Sequence, residues 1–155
     1  MSNKIRAYKF GKLIEFLVPN IGTGIDQMNF FEKLSDNEYA ELIHNAVKTK
    51  GAVGKLANEI GYIPIPKTSE NITWFVTGYK EQIKYRKEQI IEGRKRLGLM
   101  ISKLRKERGL TQAQLADMAG IARPNIVNIE AGKYSPGLDI INKVCMALEV
   151  EFGIK

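Results

Sequence analysis

The chain has 155 residues, of which 44% are hydrophobic and 26% are charged, and its formal net charge is +7. This composition is typical of a soluble protein with one or two small domains, and no segment approaches the ~20 apolar residues of a membrane span. The N-terminal residues lack the apolar core of a signal peptide, and the single cysteine excludes an internal disulfide. We therefore expect a cytoplasmic protein without membrane contact, in which Cys145 is a buried, inert thiol.

The first element of the chain has two conflicting patterns. Ile5 and Ala7 alternate with polar residues as in a strand, whereas the residues that follow have the spacing of a helix. The helical spacing is that of Leu13, Phe16 and Leu17. Strand and helix both stay open for this segment, and a loop is predicted for residues 19–26 because they include proline and glycine.

Two helices are predicted between residues 35 and 60. Ser35 or Asp36 can cap the first, because a short side-chain oxygen accepts a hydrogen bond from a free amide of the opening turn. The apolar stripe of this helix consists of Tyr39, Leu42, Ile43, Ala46 and Val47. The second helix is predicted to cover residues 52–60.

A proline-containing segment separates these helices from the rest of the chain. Residues 62–66 (YIPIP) are predicted to be extended, since each proline disfavours helical geometry in the residue before it. Residues 72–76 predict a short strand or a packed loop. Trp74 and Phe75, within that segment, are expected in the core, with a contact to a ligand or a protein as the alternative.

A long helical pattern follows from residue 79 to residue 108. Gly93 and Gly98 each weaken a helix by about 1 kcal/mol relative to alanine. We therefore expect a break or bend near Gly93, which would separate a connecting helix from the helix after it. At the end of the chain, residues 150–154 add a strand or simply trail.

The positive charge is concentrated in the same segment. Residues 1–78 contain nine Lys/Arg and eight Asp/Glu (+1), residues 80–108 contain eleven and four (+7), and residues 109–155 contain four and five (−1). A basic helix face attracts phosphate groups, because binding releases the counterions condensed on a nucleic acid. The segment is therefore predicted to contact phosphates.

Residues 110–132 (LTQAQLADMAGIARPNIVNIEAG) predict two short helices joined by a tight turn. Thr111 can cap the first helix, and Gly120 can end it in a left-handed conformation. Ala116 is small and lies four residues before Gly120, so two helices can cross at close range. The buried faces are formed by Leu115, Ala116, Ala119, Ile126 and Ile129. This pattern is that of a helix-turn-helix, whose second helix enters the major groove of DNA.

The segment resembles the Cro/phage-repressor (Xre-like) helix-turn-helix family, and the resemblance extends over residues 94–150. Ile101, Leu104 and the RKERG sequence at 105–109 are similar to the first helix of the family and its end. The loop and fourth helix of the family are matched by Gly132, Lys133, Pro136, Gly137, Leu138, Ile141, Val144 and Leu148. The resemblance implies a mainly α protein, with a five-helix lambda-repressor-like DNA-binding domain after a small N-terminal region that is mainly helical or α+β.

The resemblance also implies roles for single residues. The positions of the base-reading side chains are occupied by Arg123, Pro124, Asn125 and Asn128. The positions that contact DNA phosphates are occupied by Thr111, Gln112, Lys133, Tyr134 and Ser135. Arg105 and Glu130 match a pair that bridges the first and third helices, so we expect a partly buried ion pair.

Two residues depart from the family pattern. Pro124 replaces a polar side chain, so one base contact is lost or becomes an apolar contact with a thymine methyl group. Proline also biases Arg123 away from helical geometry, so the recognition helix (about residues 123–131) is expected to begin one residue late. Glu149 stands where relatives have a helix-ending glycine, at a local cost in stability.

The sequence therefore predicts a dimeric, sequence-specific transcriptional regulator that binds double-stranded DNA and acts by occupying an operator. Residues 1–78 would dimerise or bind a partner or effector, residues 79–93 would form a basic connecting helix, and residues 94–155 would bind DNA. The alternative is an antitoxin-like protein, whose N-terminal region binds a partner and whose C-terminal domain regulates their operon. One histidine and one cysteine are too few for a zinc cluster or a Cys/His nucleophile pair, so we expect no enzyme, metal or cofactor.

Overall fold

The computed structural model describes residues 1–151, which form α-helices in two compact units. Unit 1 is Met1–Arg86, and unit 2 begins at Lys87. Residues 1–151 contain no strand, so the mainly α fold class is confirmed. The helices are α1 (Asn3–Leu17), α2 (Gly24–Lys33), α3 (Asp36–Val47), α4 (Ala52–Ile60), α5 (Ser69–Glu107), α6 (Gln112–Ala119), α7 (Arg123–Glu130) and α8 (Leu138–Ala147).

The C-terminal part of the described residues has one helix fewer than expected. Between residues 94 and 151 the structure contains four of the five expected helices, namely the end of α5 and helices α6 to α8. The strand considered for residues 150–154 falls mostly on 152–154, outside the described residues. None of the helices in the described part of the chain is long and apolar enough to cross a membrane.

The core of unit 1 is largely aromatic. Five large rings from α1, α2, α3 and α5 are fully buried, those of Phe10, Phe31, Tyr39, Phe75 and Tyr79. The rings of Phe31 and Phe75 stack with centroids 4.6 Å apart, an arrangement that adds about 0.5–1.5 kcal/mol to the burial of the rings themselves. The predicted helices at 36–47 and 52–60 are confirmed as α3 and α4, and Ser35 caps α3.

The first element, for which strand and helix were both open, is helix α1. Glycine residues allow this helix to pack closely against α5. A Cβ atom on Gly11 would collide with the carbonyl oxygen of Phe75, and one on Gly78 would collide with that of Tyr8. The backbones of α1 and α5 therefore touch at a crossing that only glycine permits. The predicted loop at 19–26 is too long, because Thr23 caps α2 in a capping box and the helix starts at Gly24.

The prediction of a strand or loop at residues 72–76 is wrong, because α5 begins at Ser69. The hydroxyls of Thr73 and Thr77 donate to carbonyls four residues earlier in this helix, at 2.9 and 2.8 Å. Ile72, Phe75 and Tyr79 follow a helical repeat into the core. The expectation that Trp74 is buried is also wrong, since its side chain is 41% exposed.

The expected break at Gly93 is absent, because α5 is one continuous helix through that residue. A Cβ atom on Gly93 would meet nothing within 4 Å, so this glycine has no packing role among the described residues. Gly98 differs, because its Cβ would lie 2.7 Å from the carbonyl oxygen of Glu130 and would also collide with that of Ile129. Gly98 therefore allows α5 to touch the end of α7.

Unit 2 packs α6, α7 and α8 around a compact apolar core with α5. Its buried members include Ile101, Leu115, Ile126, Ile129 and Val144. Thr111 and Gln114 form a capping box at the start of α6, and Gly120 ends that helix with φ 62°. Glu149, where a glycine was expected, has φ 50°, a region that costs a non-glycine residue free energy.

The helix expected to read DNA does not begin late. Helix α7 starts at Arg123 with Ala122 as its N-cap, and Pro124 occupies the first turn. Proline is tolerated there because its missing N–H would have no partner inside the helix. The first-turn position therefore overrides the bias that proline imposes on the residue before it.

Arg105 of α5 and Glu130 of α7 form a bidentate ion pair. The Nε–Oε1 distance is 2.6 Å and the Nη2–Oε2 distance is 2.9 Å. The side chains are 10% and 7% exposed, and Arg105 also donates to the carbonyl of Leu110 at 2.7 Å. A buried pair of this geometry leaves an uncompensated charge when one partner is removed, so it connects α7 firmly to α5.

Alanine substitutions at the two glycines of α5 should have opposite effects. Gly93→Ala should raise the free energy of unfolding by up to about 1 kcal/mol, because alanine favours helix and meets no neighbour. Gly98→Ala should lower it by about 1–3 kcal/mol, because the end of α7 must move away from the new methyl group. Urea unfolding followed by circular dichroism measures both, and equal effects would contradict the close contact at Gly98.

Removal of the Glu130 carboxylate should destabilise unit 2. We expect Glu130→Ala to cost about 3–5 kcal/mol, because Arg105 stays buried without a counterion. Glu107→Ala is the matched control, since its 3.8 Å pair with Lys103 is solvent-exposed and such pairs contribute about 0–1 kcal/mol. Hydrogen exchange of α6 and α7 amides measures the loss within unit 2, and equal protection in the two variants would refute it.

Candidate nucleic-acid interface

Helix α7 buries one face and exposes the other. Ile126 and Ile129 lie in the core of unit 2, at 0% and 1% exposure. On the outer face Arg123, Pro124 and Asn128 are exposed, while Asn125 is half-buried at its edge. The structure therefore brings three of the four predicted base-reading residues together on one accessible surface.

The polar groups on this outer face are available for a ligand. Within residues 1–151, the side chains of Arg123 and Asn128 make no hydrogen bond or ion pair with other side chains. Arginine offers a fork of donors, and asparagine offers a donor and an acceptor side by side. These are the groups that pair bidentately with guanine and adenine in the major groove.

Gln112, a predicted phosphate contact, is engaged within the protein. It is half-buried at the start of α6, and its Nε2 donates to Oε2 of Glu130 at 3.0 Å. Burial acts to raise the pKa of Glu130, but hydrogen bonds from Arg105, Gln112 and Ser102 and the charge of Arg105 outweigh it and lower the pKa below its ordinary 4.5. Gln112 thus joins α6 to the ion pair that holds α7.

Thr111 caps α6, and its hydroxyl still has a hydrogen to donate. Its Oγ1 accepts from the amide of Gln114 at 3.2 Å, and its own amide donates to Oε1 of Gln114 at 2.8 Å. A hydroxyl that accepts a bond still carries its own donor hydrogen. An exposed hydroxyl at a helix N-terminus, where amides also point outward, suits an anion such as phosphate.

The loop after α7 lies next to two basic residues of α5. Lys133, Tyr134 and Ser135 are exposed, and the amide of Lys133 donates to the carbonyl of Asn128 at 2.9 Å. Nε of Arg94 donates to Oγ of Ser135 at 2.5 Å. The backbone of Lys95 faces Gly132, whose Cβ would lie 3.1 Å from the Cα of Lys95.

We call Arg94, Lys95 and Lys133 the basic cluster. None of these three cations forms an ion pair with another described residue, so their charge is not neutralised there. The sequence pointed only to a basic segment at 80–108 and did not single out Arg94 or Lys95. Their role depends on the contact between α5 and the loop after α7, which the charge count cannot show.

Residues suited to metal or nucleophilic chemistry are scattered. His44 is exposed on α3, and no group of three or more potential metal ligands occurs in the described residues. Cys145 is half-buried on α8 rather than fully buried, and burial raises the pKa of its thiol. Neither His44 nor Cys145 is part of a metal-ligand cluster among the described residues.

Comparison with known proteins places the chain among helix-turn-helix proteins. The family model described as helix-turn-helix matches residues 101–154. An uncharacterized HTH-type transcriptional regulator of Methanothermobacter thermautotrophicus is 43% identical over 49 residues, which are 32% of this chain and 71% of that protein. No solved structure matches the chain.

Two proteins of Bacillus phage phi105 are also similar to the chain. Its immunity repressor protein is 40% identical over 55 residues, 36% of this chain and 38% of the repressor. Its ImmF control region 10 kDa protein is 28% identical over 60 residues, 39% of this chain and 67% of that protein. By these matches and by the geometry of α6 and α7, the chain belongs to the Cro/repressor-type helix-turn-helix family.

Proposed function

We propose that the protein is a sequence-specific DNA-binding transcriptional regulator that acts by occupying an operator. The observation that carries the proposal is the outer face of α7, where Arg123 and Asn128 are exposed, have no side-chain partner within residues 1–151, and lie opposite a buried apolar face. Related proteins named as a transcriptional regulator and an immunity repressor support the same function. Regulation of this kind needs binding and no chemical step.

In this proposal α7 enters the major groove and reads bases directly. Arg123 donates two hydrogen bonds to guanine, and Asn128 pairs with adenine, each for about 1–3 kcal/mol of discrimination. Asn125 reaches the groove from the edge of the helix. Pro124 offers an apolar surface for a thymine methyl group. The ion pair at the far end of α7 keeps these side chains in a constant orientation.

Phosphate contacts on both sides of α7 would hold it in register. Thr111 and Gln112 lie at the N-terminus of α6, and Lys133, Tyr134 and Ser135 lie in the loop after α7. The basic cluster extends this second group, because Arg94 already bonds to Ser135 and keeps its terminal nitrogens for a phosphate. Such contacts position the protein without specifying bases.

Two copies suit this mode of binding. Recognition helices related by a two-fold axis fit half-sites one helical turn apart, about 34 Å, on a palindromic operator. We therefore propose that the protein is a homodimer. As a regulator that binds DNA, it would act in the cytoplasm. The N-terminal region, residues 1–78, would supply the contact between the copies.

Selection from a random duplex library tests base reading. The wild type should enrich a palindrome, and Arg123→Ala should lose the preference for one guanine in each half-site, about 1–3 kcal/mol of discrimination. Lys143→Ala on α8 removes the same charge and should keep that preference. If the wild type enriches no sequence, the proposed function is wrong.

The salt dependence of DNA binding tests the basic cluster. Because each phosphate contact contributes about 0.9 to the slope of log affinity against log salt, Arg94→Ala should reduce that slope by about 1 per protomer and weaken all sequences equally. Lys103→Ala is the control, since nine residues along α5 place it on the opposite face. An unchanged slope for Arg94→Ala would exclude a phosphate contact there.

A further inference from the structure

Unit 1 exposes an apolar groove that its own core leaves uncovered. The groove has a volume of about 310 Å³ and is lined by Ser2, Lys4, Ile5, Tyr8 and Trp74. Ile5 is 49% exposed and Trp74 is 41% exposed, and the Tyr8 and Trp74 rings meet edge to face with centroids 6.3 Å apart. The two helices that form it are α1 and the first part of α5.

Trp74 differs from the rings in the core of unit 1 and is exposed like Phe16, Tyr62 and Tyr85. Five aromatic side chains of α1, α2, α3 and α5 are fully buried, whereas the single tryptophan of the chain faces outward. Tryptophan and tyrosine are enriched at the centres of protein interfaces, where their burial contributes most of the binding free energy. An apolar centre with charged residues around it has the composition of such an interface.

The charges around the groove are separated by helix. Lys4 and Lys12 lie on α1, and Glu70 and Glu81 lie on α5. Lys4 pairs with Glu70 at 2.5 Å, and Lys12 pairs with Glu81 at 3.9 Å. Since residue numbers rise together along both helices, α1 and α5 run parallel. The groove therefore has a positive row along one side and a negative row along the other.

This separation makes the surface complementary to itself. A two-fold axis that runs along the groove places α1 of one copy over α5 of the other, so each lysine row faces a glutamate row. The four charges sum to zero, so the surface has no net attraction for the phosphates of a nucleic acid. A second copy fits both the apolar centre and the charges at the rim.

We propose that this groove, which we call the Trp74 surface, is the self-association surface of the protein. Ile5, Tyr8 and Trp74 form its buried centre, and the lysine and glutamate rows set its two-fold register. The inference rests on the proposed function to the extent that a palindromic operator needs two copies. It assigns the contact between them to unit 1.

Charge reversal tests the proposal through a mixing experiment. Glu70→Lys with Glu81→Lys makes the surface wholly positive, and Lys4→Glu with Lys12→Glu makes it wholly negative. Each variant alone should associate at least about tenfold more weakly than the wild type, because like charges meet across the two-fold axis. An equimolar mixture should recover dimers, because a positive surface then faces a negative one.

Sedimentation velocity measures the fraction of dimers. A matched control shows whether charge reversal elsewhere on unit 1 has the same effect. Glu32→Lys with Glu41→Lys adds the same charge at exposed positions of α2 and α3 and should leave association unchanged. The fluorescence of Trp74, the single tryptophan, should shift to longer wavelength when the wild type is diluted into monomers. These two readouts would place the contact at the groove itself.

The outcomes separate this inference from the proposed function. A monomeric wild type at micromolar concentration, or reversed variants that stay dimeric alone, would overturn the Trp74 surface. Capture of a different protein by a monomeric chain would also overturn it, and would favour the antitoxin-like alternative. A wild type that dimerises through the groove but enriches no DNA sequence would leave the inference standing and the proposed function wrong.

Discussion

The orientation of α7 depends on a single buried carboxylate. Glu130 is the last residue of α7, and it accepts hydrogen bonds from Arg105 of α5 and Gln112 of α6. A helix of eight residues is too short to be stable alone, so its direction is set by what holds its ends. Glu130 meets this need, because one side chain connects three helices at a point that water barely reaches.

A steric contact reinforces the electrostatic one at the same end of α7. Gly98 lets α5 touch the carbonyls of Ile129 and Glu130, so the helix end is held by its backbone as well as by its side chain. Among the described residues, the N-terminal part of α7 has no comparable polar contact, and its outward side chains keep their hydrogen-bonding groups free. A helix held firmly at one end can present free side chains at the other without losing its position.

The sequence predicted the features that depend on local chemistry. Thr111, Gly120 and the buried isoleucines of α7 act through residues within one turn, so the start and end of α6 and the buried face of α7 followed from their pattern. Other features depend on packing between distant segments. Gly93 and Gly98 both interrupt the same helical pattern in the sequence. Only the contact with α7 shows that Gly98 is needed for packing and that Gly93 is not. For the same reason, the sequence could not show that Trp74 lies outside the core. It also could not distinguish Arg94 from the solvated lysines and arginines of α5.

The two surfaces that we propose respond differently to solution conditions. The basic cluster and the N-terminus of α6 would act on phosphates through exposed charges, and their attraction falls steeply as salt rises. The Trp74 surface combines apolar burial with charges that sum to zero, and apolar burial is little screened by ordinary salt. Moderate salt should therefore release DNA at concentrations where the two copies stay together.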